Sequence, residues 1–138
     1  MKLIIAGSRH LRVSFNFLKG VCTTYGIPIE KVTTIVCGEA SGIDDCGKKF
    51  GEKLSLKIES HPYKSELGKA GGPARNRDMA ASGNGLLLIW NSHSKGSANM
   101  KFEAKQQGLP IWEVILCNPA TKRDMKAHGW LGEQNEDK

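Results

Sequence analysis

Five short apolar runs punctuate the chain, and between them apolar residues recur at intervals of three and four. Leu3-Ile4-Ile5-Ala6 is apolar without alternation, the pattern of a strand buried on both faces. After the turn Gly7-Ser8-Arg9, the residues Phe17, Leu18, Val21, Cys22 and Tyr25 predict a helix, with Ser14 as its N-cap and Gly26 just past its end. Pro28 marks a turn, Val32 to Cys37 predicts the second strand, and Ile43, Cys46, Phe50 and Leu54 form one helical stripe. Leu56 to Ser60 predicts a short third strand with ragged alternation. From His61 to Pro73 the three glycines and two prolines predict a long loop, uncommon in a compact domain unless it serves a function. A helix is expected from about Ala74 to Ser82, and Leu86 to Trp90 is the clearest strand. Ala98 to Gln107 suits a helix ended by Gly108, and Leu109 to Leu116 predicts a fifth strand, with Pro110 near its start where a missing N–H is tolerated.

Strands alternating with helices imply an α/β fold: a mostly parallel five-stranded sheet with helices on both faces. At 138 residues the chain has the length of one ordinary domain. We place that domain at residues 1–117 and expect the polar segment 118–138 to be a partly disordered tail. No internal repeat or low-complexity block interrupts it.

Charge changes the picture of partners more than of fold. Lys and Arg number 20 against 14 Asp and Glu, and up to Gly132 the balance is +8, from 19 bases and 11 acids. That surplus favours polyanions such as nucleotides or nucleic acid, although a basic surface alone accounts for it equally well. Sequence-independent binding to nucleic acid is expected to be weak at most and salt-sensitive. Cys22, Cys37, Cys46 and Cys117 include no C-x-x-C pair, and buried free thiols are the expected state. The first apolar run is too short for a signal peptide, and no run approaches the ~20 residues of a membrane span. A soluble cytoplasmic protein without membrane contact is the expectation.

Candidate chemistry gathers where strands end. In parallel sheets, ligands bind outside the carboxyl ends of the strands, where helix N-termini carry free N–H groups that favour anions. Gly7, Ser8 and Arg9 follow the first strand, and Gly38, Glu39, Gly42 and Asp44 follow the second. Ser94, Gly96 and Ser97 follow the fourth. Gly38-x-x-x-Gly42 matches neither the dinucleotide fingerprint nor the P-loop, which disfavours a conventional NAD fold or NTPase. Asp44 is either a favourable first-turn charge or an acceptor for a ribose hydroxyl. The stretch 68–79 packs Lys69, Gly71, Gly72, Arg75 and Asn76 before a helix; glycine lets backbone approach a ligand, and Arg clamps phosphate bidentately. A flexible basic loop is the alternative. His10, His61, His93 and His128 are scattered without metal-ligand spacing, so no metal and no cofactor is expected. Trp90 reads as core packing before base stacking.

Ile4-Ile5-Ala6-Gly7-Ser8-Arg9, Cys37-Gly38-Glu39-Ala40-Ser41-Gly42-Ile43-Asp44, the block 68–79 and Trp90-x-x-x-Ser94-x-Gly96-Ser97 together resemble the YspA/YpsA-related branch of the SLOG superfamily. The likeness spans about residues 2–116. That superfamily also holds the lonely-guy phosphoribohydrolases and the Smf/DprA proteins. The resemblance implies a Rossmann-like sheet that binds a nucleotide or nucleotide derivative at its strand ends, in a homodimer or higher homo-oligomer. Arg75-Asn76-x-x-Met79 resembles the Arg-Lys-x-x-Met segment of the lonely-guy enzymes, and Gly96-Ser97 resembles the Gly-Thr of their phosphate loop. The position of their catalytic glutamate is Met100 here, which can neither take a proton nor stabilise an oxocarbenium ion. Glu39 replaces a glycine usual in this branch, and Ser41 an arginine; Glu39 either repels phosphate or supplies a relocated carboxylate.

Three readings follow. The first is binding or sensing of a phosphorylated nucleoside or nucleotide derivative. The second is an enzyme that cleaves or transfers an N-glycosidic bond, with Glu39 or Asp44 as the catalytic carboxylate. The third is nucleic-acid binding in the style of Smf/DprA, which leans on charge and analogy alone.

Overall fold

The uninterrupted apolar runs take the central places of a parallel sheet. β1 (Lys2–Gly7), β2 (Thr34–Gly38) and β4 (Gly85–Trp90) are flanked by β3 (Lys57–His61) and β5 (Ile111–Ile115), in the order β3-β2-β1-β4-β5. All pairings are parallel, and Ile4 lies opposite both Val36 and Leu86. The computed structural model that shows this describes residues 1–116, so the expected tail at 118–138, together with Cys117 and His128, lies outside the described residues.

Side chains alternate across a strand, so a strand covered on both faces must be apolar throughout. Leu3, Ile5, Ile35, Cys37, Leu87 and Ile89 pack against Phe17, Leu18 and Val21 of α1 (Phe15–Thr24) and against Ile43, Cys46 and Phe50 of α2 (Ile43–Lys53). Ile4, Ala6, Val36, Leu86 and Leu88 face Met79 and Ala80 of α3 (Gly71–Ser82) and Met100 and Ala104 of α4 (Lys95–Gln106). Handedness explains the layering. Crossovers from β1 outward through β2 to β3 carry α1 and α2 on one face, and crossovers in the opposite direction, to β4 and β5, carry α3 and α4 on the other. The strand order therefore reverses between β1 and β4, which opens a crevice at their carboxyl ends.

The ends of α1 follow the sequence: Ser14 Oγ accepts from Phe17 N at 2.9 Å, and Gly26 has φ 68°. Edge strand β3 is ragged because its polar side chains form a network. Glu59 accepts from Lys2 Nζ at 2.8 Å, from Ser82 Oγ and, at 2.7 Å, meets His61 Nε2; led by the His61 bond, these hold its carboxyl down at about 2.

Four expectations need correction. The predicted loop 61–73 contains a short 3-10 segment, Ser65–Ala70, kinked at Gly68, and α3 begins at Gly71 rather than near Ala74. Gly71-Gly72-Pro73 is a helix start, since a proline in the first turn lacks only an N–H that would be unpaired anyway. An added Cβ at Gly71 would collide with the Lys64 carbonyl, so the glycine reflects crowding rather than flexibility. Likewise β2 begins at Thr34, because Val32 N closes a 3-10 turn onto Ile29 O at 3.1 Å, and α4 begins at Lys95, behind an N-cap at Ser94. Among the described residues no helix is long and apolar enough to cross a membrane.

Candidate functional site

The turn after β1 forms the floor of the site, and it is held from all sides. Gly7 sits where any Cβ would strike the Ile89 carbonyl and the Ile43 side chain. Ser8, 2 % exposed, donates its N–H to Ile89 O at 3.1 Å and accepts on Oγ from Asn91 N at 3.3 Å. Its carbonyl accepts from Leu11 N and Ile43 N. Gly42 (φ 77°) presses against the Ser8 and Arg9 carbonyls. Ser8 thus ties the β1 turn to β4 and to α2, a positioning role that its residue type alone does not reveal.

Above this floor lies a cavity of about 1040 Å³ at the carboxyl edge of the sheet. Of the residues expected there, Gly7, Ser8, Arg9, Glu39, Asp44, Lys69, Gly72, Arg75, Asn76, Ser94, Gly96 and Ser97 line it. Gly38, Gly42 and Gly71 stand behind the wall. Gly38 is a glycine because a Cβ would collide with Arg75 Nη1 and Asp44 Oδ2, which share the space over the end of β2.

The β2 side of the cavity is acidic, and its Ala40 and Ile43 amides are engaged. Asp44, 6 % exposed, accepts from Ala40 N at 3.2 Å, and Ile43 N is bonded to Ser8 O. Burial pushes the Asp44 carboxyl up to about 6, against the opposing pull of Arg75 and the Ala40 N–H. Glu39 is exposed beside it.

The β4 side brings no acidic residue to the cavity wall, and one lysine. Ser94 Oγ caps α4 by accepting from Ser97 N at 3.3 Å, while the Lys95 and Gly96 N–H groups have no acceptor among the described residues. A Cβ on Gly96 would stand in open space. Ser97 Oγ, in a residue 4 % exposed, has no hydrogen-bond partner among the described residues. A buried hydroxyl without a partner is costly and therefore rare.

Between the two sides sits Arg75. Its Nε donates to Asn76 Oδ1 at 2.9 Å and its Nη1 reaches His61 O at 3.5 Å, which leaves Nη2 without an acceptor among the described residues. Asn76 donates in turn to Gly96 O at 3.2 Å and Asn99 Oδ1 at 2.9 Å, joining the starts of α3 and α4. Arg9, Lys69, Arg75 and Lys95 all line the cavity, and among the described residues none of them joins an ion pair.

Several lining residues escape sequence reasoning: His10, Tyr63, Asn91, His93 and Asn99. Four of them lie within three residues of a strand end, and Asn99 comes from the second turn of α4. Met100 lines the cavity from α4 while packing in the core. Trp90 does not reach the wall; its Nε1 donates to Glu113 Oε2 at 2.7 Å. Among the described residues no group of three His, Cys, Asp or Glu side chains could hold a metal ion.

Compared with protein families, curated proteins and solved structures, the chain matches no family model, no curated protein and no solved structure.

Proposed function

We propose that the cavity binds a phosphorylated nucleoside or nucleotide derivative, with phosphate at the start of α4 and ribose beside Asp44. The observation that carries this reading is the β4 side: among the described residues, two N–H groups without an acceptor and the unpartnered Ser97 hydroxyl meet at a helix N-terminus, in a cavity lined by four cations that join no ion pair there. Backbone amides and the helix dipole favour an anion there. The Gly38 to Gly42 turn is the poorer phosphate site, since Ala40 N and Ile43 N are engaged and Glu39 and Asp44 repel anions. Asp44 instead suits the hydroxyls of a ribose, which donate to a carboxylate. The resemblance to the YspA/YpsA-related branch of the SLOG superfamily supports the same ligand class.

A thermal-shift panel of nucleoside mono-, di- and triphosphates, NAD, ADP-ribose and nucleotide-sugars, each beside its unphosphorylated counterpart, tests the proposal. Ligand at 100 times its dissociation constant adds about 2.7 kcal/mol, a rise of several degrees for a domain of this size. The expected result is a rise with at least one phosphorylated compound and none with its nucleoside. No rise with any of them contradicts the reading.

One observation favours a catalytic alternative. A carboxyl raised to about 6 and facing a cavity is poised to donate a proton near neutral pH, as an acid assisting departure of a base from ribose requires. Chromatography of the same mixtures for free base decides it, and Asp44→Asn against Glu39→Gln identifies the carboxylate.

A further inference from the structure

An exposed aromatic side chain is ordinarily mobile, yet Tyr63 is held at three points. Its hydroxyl donates to Gly68 O at 2.5 Å. Its ring lies over the two glycines that begin α3: an added Cβ would meet Cε1 at 2.8 Å from Gly71 and Cε2 at 3.2 Å from Gly72. Only glycine lets the ring lie so close. Tyr63 nevertheless remains 50 % exposed and lines the cavity, so packing with the core does not account for its placement.

Its position relative to the other walls is informative. Tyr63 stands on the β3 side, two residues past the strand, while the free amides and Ser97 stand on the β4 side, with Asp44 at the end of β2 between them. Three strand spacings separate β3 from β4, about 14 Å. Inorganic phosphate or a sugar phosphate at α4 leaves the Tyr63 end of this cavity empty. A nucleotide extends towards it, and a nucleobase is the part of that ligand with a flat π-face to lay on a fixed ring.

We infer that Tyr63 is the stacking platform for the base of the bound nucleotide and the residue that makes the site prefer a nucleotide to a sugar phosphate. The inference rests on the phosphate site proposed above and adds the base subsite. Stacking on an aromatic tolerates every base, so Tyr63 selects the class of ligand, and any choice among bases falls to polar groups elsewhere on the wall.

The test is equilibrium binding of the four nucleoside monophosphates and of ribose 5-phosphate to the wild-type chain and to Tyr63→Phe, Tyr63→Leu and Tyr63→Ala. At least one nucleotide is expected to bind wild type more tightly than ribose 5-phosphate. Tyr63→Ala and Tyr63→Leu are expected to weaken that nucleotide by about 5- to 150-fold, the range for losing one base–aromatic stack, with ribose 5-phosphate unchanged. Tyr63→Phe keeps the ring and its preference. Leucine fills the space over Gly71 and Gly72 without a π-face, so a loss with leucine, under an unchanged melting temperature, separates stacking from support of α3. Equal binding of nucleotides and ribose 5-phosphate to wild type, or a nucleotide preference that survives Tyr63→Leu, overturns the inference while leaving the phosphate site standing. Failure of every phosphorylated compound to bind wild type overturns both.

Discussion

Replacing Arg75 with alanine is expected to weaken any phosphorylated ligand by about 10- to 150-fold, the value of one charge-assisted hydrogen bond lost without replacement. Arg75 is presented for that contact. Its Nε is fixed by Asn76 Oδ1, and Asn76 is itself fixed to Gly96 and Asn99, so the guanidinium keeps a set orientation to the start of α4. The fold should lose little direct bonding, because among the described residues Arg75 joins no ion pair and its Nη1 bond to His61 O is long at 3.5 Å, while the buried Asp44 carboxyl loses the pull of its neighbouring cation. Lysine is not expected to restore binding, since an ammonium lacks the planar fork that meets Asn76 and a phosphate together. Titration calorimetry on wild type, Arg75→Ala and Arg75→Lys checks this. Unchanged affinity in Arg75→Ala would show that the phosphate lies elsewhere.

Asp44→Asn is expected to stabilise the ligand-free protein near pH 7.5 by up to about 3 kcal/mol, the equivalent of raising a carboxyl from its ordinary 3.8 to about 6. The folded state holds this proton more tightly than the unfolded state does. The buried carboxyl therefore costs nothing below the unfolded value of about 3.8 and destabilises progressively as pH rises through about 6. Asparagine keeps an oxygen for Ala40 N and removes the charge. The advantage of the variant should shrink towards zero near pH 4, which denaturant melts of both proteins across pH 4–8 would show. The same substitution should weaken a nucleotide more than inorganic phosphate, because only the nucleotide brings ribose hydroxyls to Asp44. A carboxylate retained at a stability cost is more readily explained by a ligand than by the fold. A variant no more stable than wild type at pH 7.5 would remove that argument.

Much of the architecture was legible because burial on both faces leaves an unmistakable trace. The runs Leu3–Ala6, Ile35–Cys37 and Leu86–Trp90 have no polar interruption, and they lie in the three central strands. Local capping was legible as well, at Ser14 and Gly26. The start of α3 was not, since Gly71-Gly72-Pro73 has the composition of a loop, and the close approach of Tyr63 and Lys64 that calls for glycine there comes from residues seven or more positions away. Nor does sequence distinguish the turn at Gly38 to Gly42 from the one at Ser94 to Ser97. Both are small, amide-rich and followed by a helix. They differ through long-range bonds: Ile43 N meets Ser8 O across the sheet, whereas nothing among the described residues reaches Gly96 N. Tyr63 left no periodic signal, because its role depends on a ring resting on glycines eight and nine residues further along the chain.

The difference between those two turns is the centre of the account, and amide-resolved NMR reads it directly. In a titration of the uniformly ¹⁵N-labelled chain with a nucleoside monophosphate found to bind, and in parallel with inorganic phosphate, the Lys95 and Gly96 amides are expected to shift progressively with both. The Ala40 and Ile43 amides are expected to move far less, since they are already bonded to Asp44 and Ser8. The opposite pattern, with Ala40 and Ile43 shifting while Lys95 and Gly96 stay in place, would contradict a phosphate site at the start of α4.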